Sequence, residues 1–183
     1  MSTLLTILSI VAGIVLLLLL VAAILPKHYS VTVSETINRP KNTVYNYVSV
    51  FLYQIQYSEW LKADPDLEPT VEGTDGTVGA VMKWESHNKD KNKNVGTGEQ
   101  EIKQMDENNI EVELRLIKPM PATCKLVHSF AETGISQTKY TCTFSTYARF
   151  PINLPAYLFG RSFIRKTQQK TLGNIKTILE KTE

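Results

Sequence analysis

The sequence predicts an α+β fold in which one curved antiparallel sheet closes over a long C-terminal helix, with an apolar helix ahead of it. Three observations carry this. Period-two runs joined by short turns fill the middle of the chain. A helical apolar stripe ends it. A strand that turns straight into a helix, "TINRPKNTVYNYVSVF" at 36–51, opens the polar part.

The first element is the uncharged run from Leu4 to Leu25. A helix of that length spans roughly 30 Å, the hydrocarbon thickness of a bilayer. Its start, "MST", lacks the basic residues of a secretory signal, and its apolar core exceeds the usual length. An uncleaved anchor over residues 1–26 is therefore expected, with 27–183 as the second unit. Val21 and Ala23 leave a small-residue cleavage site as one alternative, and a buried helix of a soluble protein is the other. Lys27, Arg39 and Lys41 follow the span and only the α-amine precedes it, so the positive-inside rule places the larger unit in the cytoplasm.

Pro26 ends that helix. In "YSVTVSETIN" (29–38), Tyr29, Val31, Val33, Glu35 and Ile37 share one face, the mark of a half-buried strand. Pro40 suits a first helical turn, and Val44, Tyr45, Val48 and Phe51 recur at helical spacing. A second short helix is expected over 57–64. Strands then follow near 68–72, 77–87, 96–104, 109–118, 122–131 and 135–148, which with the first makes seven. Their connections are too short for crossovers, so neighbours run antiparallel. The last helix is expected over 155–181. Leu158, Phe159, Phe163, Leu172, Ile175, Ile178 and Leu179 form its stripe, and it is the only element able to cover the sheet.

Composition bounds the function. The 183 residues carry a formal net charge of only +2, which does not argue for nucleic acid. "KDKNKN" (89–94) reads as a solvated hairpin tip. Two cysteines, Cys124 and Cys142, exclude a disulfide scaffold and zinc sites built on CxxC pairs. If "ETG" (132–134) is the hairpin loop, they face each other within disulfide reach; reduced, buried thiols are the simpler alternative. No nucleophile elbow, HExxH or phosphate-binding glycine loop is present, and nothing calls for a cofactor or metal. "GTG" (96–98) sits in a strand, where it serves close packing or a bulge.

Strand alternation names the inward face. Met82 and Trp84 lie on it, with Ile110, Val112, Leu114 and Leu116, then Leu126 and Phe130, then Tyr140, Cys142 and Phe144. Glu35, Gln100, His128 and Gln168 interrupt it with polar groups, each costing roughly 1–3 kcal/mol if buried without a partner.

Here the chain resembles a known superfamily. "ETINRPKNTVYNYV" resembles the strand–helix opening of START-like (SRPBCC) proteins. "YSEWLKADPD" resembles their W-x-x-W…DP segment, keeping only the Trp60 side. "GTVGAVMKWES", "VGTGEQEIKQMDENNIEVEL" and "TKYTCTF" resemble their later strands in order and spacing. The match spans roughly 29–181 and looks most like the bacterial polyketide cyclase/dehydrase and lipid-transport branch. It implies a helix-grip fold with an apolar cavity between sheet and last helix. Members bind lipids, sterols or polyketides there, and a minority catalyse reactions.

On that resemblance, the expected partner is a hydrophobic small molecule or lipid. Its expected contacts are Met82, Trp84, Gln100, Val112, Leu114, Leu126, His128, Tyr140, Cys142, Phe144, Phe159 and Phe163. Glu35 and His128 have two readings each. As cavity groups they would orient a ligand or form an acid/base pair. As structural groups, Glu35 pairs with a lysine and His128 bonds one neighbour, Tyr140 or Gln100. Competing functions are thus a binding domain, a cyclase- or dehydratase-like enzyme, or a regulatory module with a filled interior.

Overall fold

The structure is a computed structural model that describes residues 2–181. It contains α1 (Ser2–Ile24), β1 (His28–Ile37), α2 (Lys41–Ser49), α3 (Gln54–Tyr57), β2 (Thr70–Glu72), β3 (Val81–Glu85), β4 (Thr97–Met105), β5 (Asn109–Lys118), β6 (Ala122–Gly134), β7 (Gln137–Tyr147), α4 (Asn153–Pro155) and α5 (Arg161–Lys181). A π-helical turn, Ala156–Gly160, joins α4 to α5. The expected second short helix over 57–64 is not formed: the one-turn α3 ends at Tyr57, a 3-10 turn, Leu61–Ala63, is what falls within the expected span, and another, Phe51–Tyr53, precedes α3. Proximity to Pro65 and the lack of a side-chain cap leave no room for a longer helix there.

All seven strands form one antiparallel sheet, in the order β1-β7-β6-β5-β4-β3-β2. β3 is shorter than expected, because "GTVG" forms turns in which Gly76 and Gly79 take positive φ. The outer face is polar: Arg115 donates to Glu99, Glu101 and Glu113. The inner face packs on α5 through Val31, Val33, Ile37, Met82, Val112 and Tyr140.

The β6–β7 register corrects one expectation. Gly134 pairs with Gln137, so the hairpin closes at Ile135–Ser136 and not within 132–134. Cys124 therefore faces Thr146, and Cys142 faces His128. Both cysteines are buried free thiols. The slip is even, so each side chain keeps its face although its partner changes.

Register also sorts the loops. His28 lies opposite Tyr147, Cys124 opposite Thr146, Leu116 opposite Ala122, and Glu85 opposite Thr97. The exit of α1, the β3–β4 loop, the β5–β6 loop and the β7–α4 segment thus share one end of the sheet. The strand–helix corner after β1 lies at the other.

That corner grips the far end of α5. Arg39 Nε donates to the Leu179 carbonyl at 2.8 Å, and Asn38 N donates to Glu180 Oε1 at 2.7 Å. Thr138 Oγ1 closes on the Arg39 carbonyl at 2.7 Å. The last turn of a helix leaves carbonyls without partners, and Arg39 supplies one with a charged donor. Leu172, Ile175 and Leu179 are buried beside it, as the stripe requires. Leu158, Phe159 and Phe163 depart from that expectation and are exposed. Leu158 and Phe159 lie in the π-helical turn, which breaks the phase of the stripe, and Phe163 lies within α5 at the edge of a cavity.

Substituting Arg39→Ala is expected to destabilise the protein by about 1.5–3 kcal/mol, the range for a hydrogen bond to a charged group. Urea unfolding should show a lowered midpoint with an unchanged slope.

Candidate functional site: an apolar cavity with a basic groove beside it

Between the sheet and the N-terminal half of α5 lies a cavity of about 370 Å³. That is within the size range of small-molecule sites, at about a dozen waters' worth of liquid volume. Trp84, Leu114, Leu116, Leu126 and Phe144 line its sheet side; Gly160, Phe163, Ile164, Thr167 and Gln168 line the helix side. Gln54, Ser58, Trp60 and Leu61 close a third side, and Met120 reaches in from the β5–β6 loop. Met120, Phe163 and Trp60 are its exposed members and mark the mouth.

Local sequence explains the floor. A Cβ on Gly98 would stand 2.5 Å from Trp84 Cζ2 and 2.9 Å from the Arg115 carbonyl. Only glycine lets the indole lie flat on β4, beside the register shift at Thr97/Gly98. The indole N–H is buried and has no acceptor among the described residues. Polar groups in the wall are few. Gln100 Nε2 donates to Gln54 Oε1 at 2.7 Å, and Cys142 Sγ lies 3.7 Å from Gln168 Oε1.

Of the residues expected from sequence, Trp84, Gln100, Leu114, Leu126, Phe144 and Phe163 border the cavity. The rest are placed elsewhere. Met82, Val112, Tyr140 and Cys142 are buried in the packed core behind it. They share the inward face without lining the cavity, and Cys142 meets it only through the Gln168 side chain. Phe159 lies 72 % exposed, outside the cavity. His128 is buried with its Nδ1 2.7 Å from the Tyr140 hydroxyl, and their rings stack at 5.9 Å. Glu35 pairs with Lys176 at 3.0 Å and accepts from Gln169 at 3.2 Å, at the surface of α5. Glu35, Gln100 and His128 therefore do not converge. The residues that the expected contact set missed include one whole side of the cavity, Gln54, Ser58, Trp60 and Leu61. Their segment alternates 3-10 and α turns and has no single period to read.

Burial sets the chemistry of the core groups. It lowers the His128 pKa to about 4 and raises the Cys142 thiol to about 12. Both are neutral at pH 7, an unreactive pair well suited to a dry interior. Among the described residues no cluster of metal-ligating side chains occurs.

Beside the cavity runs a groove of about 510 Å³, lined by Glu59, Lys91, Asn92, Asn94, Lys166 and Lys170 among others. Trp60, Phe163 and Thr167 line both spaces. The Trp60 and Phe163 rings meet edge to face at 6.2 Å and form the common wall.

No protein-family model matches this sequence, and comparison with curated protein sequences finds no match. Solved structures do match. Norcoclaurine synthase from Thalictrum flavum, in complex with dopamine and hydroxybenzaldehyde, gives a TM-score of 0.62 at 8% identity, over 85% of this chain and 88% of that one. Ara h 8.0201 gives 0.60 at 11% identity, over 85% and 99%. The di-domain ARO/CYC protein BexL, from the BE-7585A biosynthetic pathway, gives 0.59 at 17% identity, over 82% of this chain and 50% of BexL. These are proteins of the Bet v 1-like, SRPBCC fold. The present chain has that helix-grip fold, with one apolar N-terminal helix added.

The buried His128 makes stability depend on pH. Its folded pKa lies below the unfolded value of about 6.5, so the unfolded state binds the extra proton. Stability is full above pH 6.5 and falls as pH drops toward 4, by about 3 kcal/mol in all. Urea unfolding at pH 7 and pH 4.5 should show this loss, and His128→Leu should flatten the slope over that window.

Proposed function

We propose that this chain is a membrane-anchored binding protein for a hydrophobic small molecule or lipid, akin to the polyketide cyclase/dehydrase and lipid-transport branch. Residues 1–26 act as the anchor and 27–183 as the binding domain. The observation that carries the reading is the apolar cavity, open at the end of the sheet where α1 leaves. Burying about 200 Å² of apolar ligand surface there contributes roughly 5 kcal/mol before ordering costs.

Several features support the anchor. From Thr3 to Ile24 every residue is exposed except Ala22, so α1 is not a core helix of the domain. Its end is held: Asn153 Nδ2 donates to the Ala22 carbonyl at 2.7 Å and to the Leu25 carbonyl at 3.2 Å. A buried side chain thus satisfies two carbonyls that a helix end leaves open. Around this junction Met120, Phe150, Ile152, Leu158 and Phe159 expose apolar side chains. Clusters of this kind mark membrane or protein contacts. The nearby loops carry Lys27, Lys89, Lys91, Lys93 and Arg149 against Asp90, an excess of basic charge that fits a cytoplasmic domain facing anionic headgroups. The acid/base alternative has less support, because neither Glu35 nor His128 borders the cavity.

Native mass spectrometry of the full chain, released from mild detergent, should show a co-purified apolar molecule. Leu126→Trp narrows the cavity and should weaken that adduct while leaving the circular dichroism spectrum unchanged. A wild-type chain that carries nothing and takes up no apolar fluorescent probe would sink the proposal. Asn153→Ala should leave probe binding intact and raise protease cleavage at 25–28; no change in cleavage would show that α1 is not held there.

A further inference from the structure

We infer that the groove beside the cavity is a head-group site, so that the ligand is an amphiphile with an anionic head. This rests on the hydrophobic-ligand reading and narrows its class. The cavity itself offers an anion no cation: its polar lining is glutamine, serine and threonine. The groove across the Trp60–Phe163 wall has the opposite character. It places Lys91, Lys166 and Lys170 around one carboxylate, Glu59. Lys170 pairs with Glu59 at 3.1 Å. Lys91 and Lys166 have no acidic partner among the described residues. Two uncompensated cations therefore stand at the edge of an apolar void. A chain in the cavity that leaves past Phe163 brings its head between them.

The loop bearing Lys91 is built, not loose. In "NKDKNKN" (88–94) the even-numbered side chains fold the turn. Asn88 Oδ1 accepts from Asp90 N at 3.0 Å, Asp90 Oδ1 from Asn92 N at 2.9 Å, and Asn94 Oδ1 from Gly96 N at 2.9 Å. The whole is tied to the buried Asp64, which accepts from Ser86 Oγ at 2.5 Å and Asn88 Nδ2 at 3.0 Å. The odd positions are lysines with no part in this network. Lys166, on the first turns of α5, faces Lys91 across the groove from the element that also carries Phe163. A fixed backbone limits where the Lys91 ammonium can reach, and that restriction lets a cation discriminate among heads and not merely attract them. Carboxylate and phosphate both satisfy this chemistry, from a free amphiphile or from a bilayer lipid.

The test uses the full chain in detergent and pairs of probes that differ only in the head. In solution, myristate should bind about tenfold tighter than tetradecanol, the size expected for one charge-assisted contact. From phosphatidylcholine vesicles, myristoyl lysophosphatidic acid should be extracted in preference to myristoyl lysophosphatidylcholine. A preference in either arm supports the site, and the arm that shows it names the source. Lys91→Gln with Lys166→Gln should reduce the ratio to about unity while tetradecanol binding, the control for folding and cavity, stays constant. Lys103→Gln with Lys125→Gln, on the outer face of the sheet, should leave the ratio intact. Equal binding within each pair, or a ratio that survives loss of Lys91 and Lys166, overturns the head site and leaves the cavity reading standing. Binding of no probe at all overturns both.

Discussion

The clamp on the C-terminal half of α5 is the constraint on which the rest depends. Leu172, Ile175 and Leu179 are buried against the sheet, and Arg39, Asn38 and the Glu35–Lys176 pair fasten the same half from β1 and its corner. Asn174 adds a bond to the Tyr57 carbonyl at 3.0 Å. The N-terminal half is tied mainly through exposed side chains, Lys170 to Glu59 at 3.1 Å and Gln169 to Glu35 at 3.2 Å, while Phe163 faces the void and the π-helical turn precedes it. A helix pinned at one end and propped at the other leaves a wedge-shaped gap over a sheet. The cavity is thus a consequence of asymmetric packing and not of missing side chains. Close packing is the default for an interior, so an open wedge persists only where the pinned half supplies the stability.

The same asymmetry explains which polar residues matter. His128 and Tyr140 lie under the pinned half, where no water reaches. There they satisfy each other, and burial holds the imidazole neutral. Gln100 borders the cavity from the sheet, bonded to Gln54, and Gln168 borders it from the N-terminal half of α5, beside Cys142. Amide side chains carry donors and acceptors at once, so either can exchange a protein partner for a ligand without leaving a charge unpaired. A dry histidine cannot do so at comparable cost.

Much of this was legible in the sequence. The period-two runs, the Pro40 corner and the terminal stripe place every strand and the covering helix, because those patterns follow from where apolar side chains must point. The inward face was legible too, since an even register slip cannot move a residue across the sheet. Register was not: "ETGIS" can turn at either of two places, and only the closed sheet selects Ile135–Ser136. Cavity membership was not legible for a different reason. Met82 and Trp84 are equivalent by alternation, yet one is core and the other lining. What separates them is which half of α5 passes overhead, a long-range fact that no local period encodes. Phe159 and Phe163 failed as buried-stripe residues because apolar spacing states that a side chain avoids water, without stating whether protein, ligand or bilayer replaces it.

That last ambiguity carries the argument one step further. In a domain free in solution, the exposed Phe159, Leu158, Ile152 and Met120 would be a liability for aggregation. Here they surround the point where α1 meets Asn153, beside the propped half of α5. If α1 crosses a bilayer, that end of the sheet is pressed toward the headgroup layer, and the exposed apolar side chains have an environment without any folded-state partner. The mouth of the wedge then opens on the phase in which an apolar ligand is most concentrated. Basic side chains outside the mouth and apolar ones within it match the order of a lipid monolayer read from head to tail. One packing asymmetry, at the end where α1 leaves, would then yield both a void and its orientation.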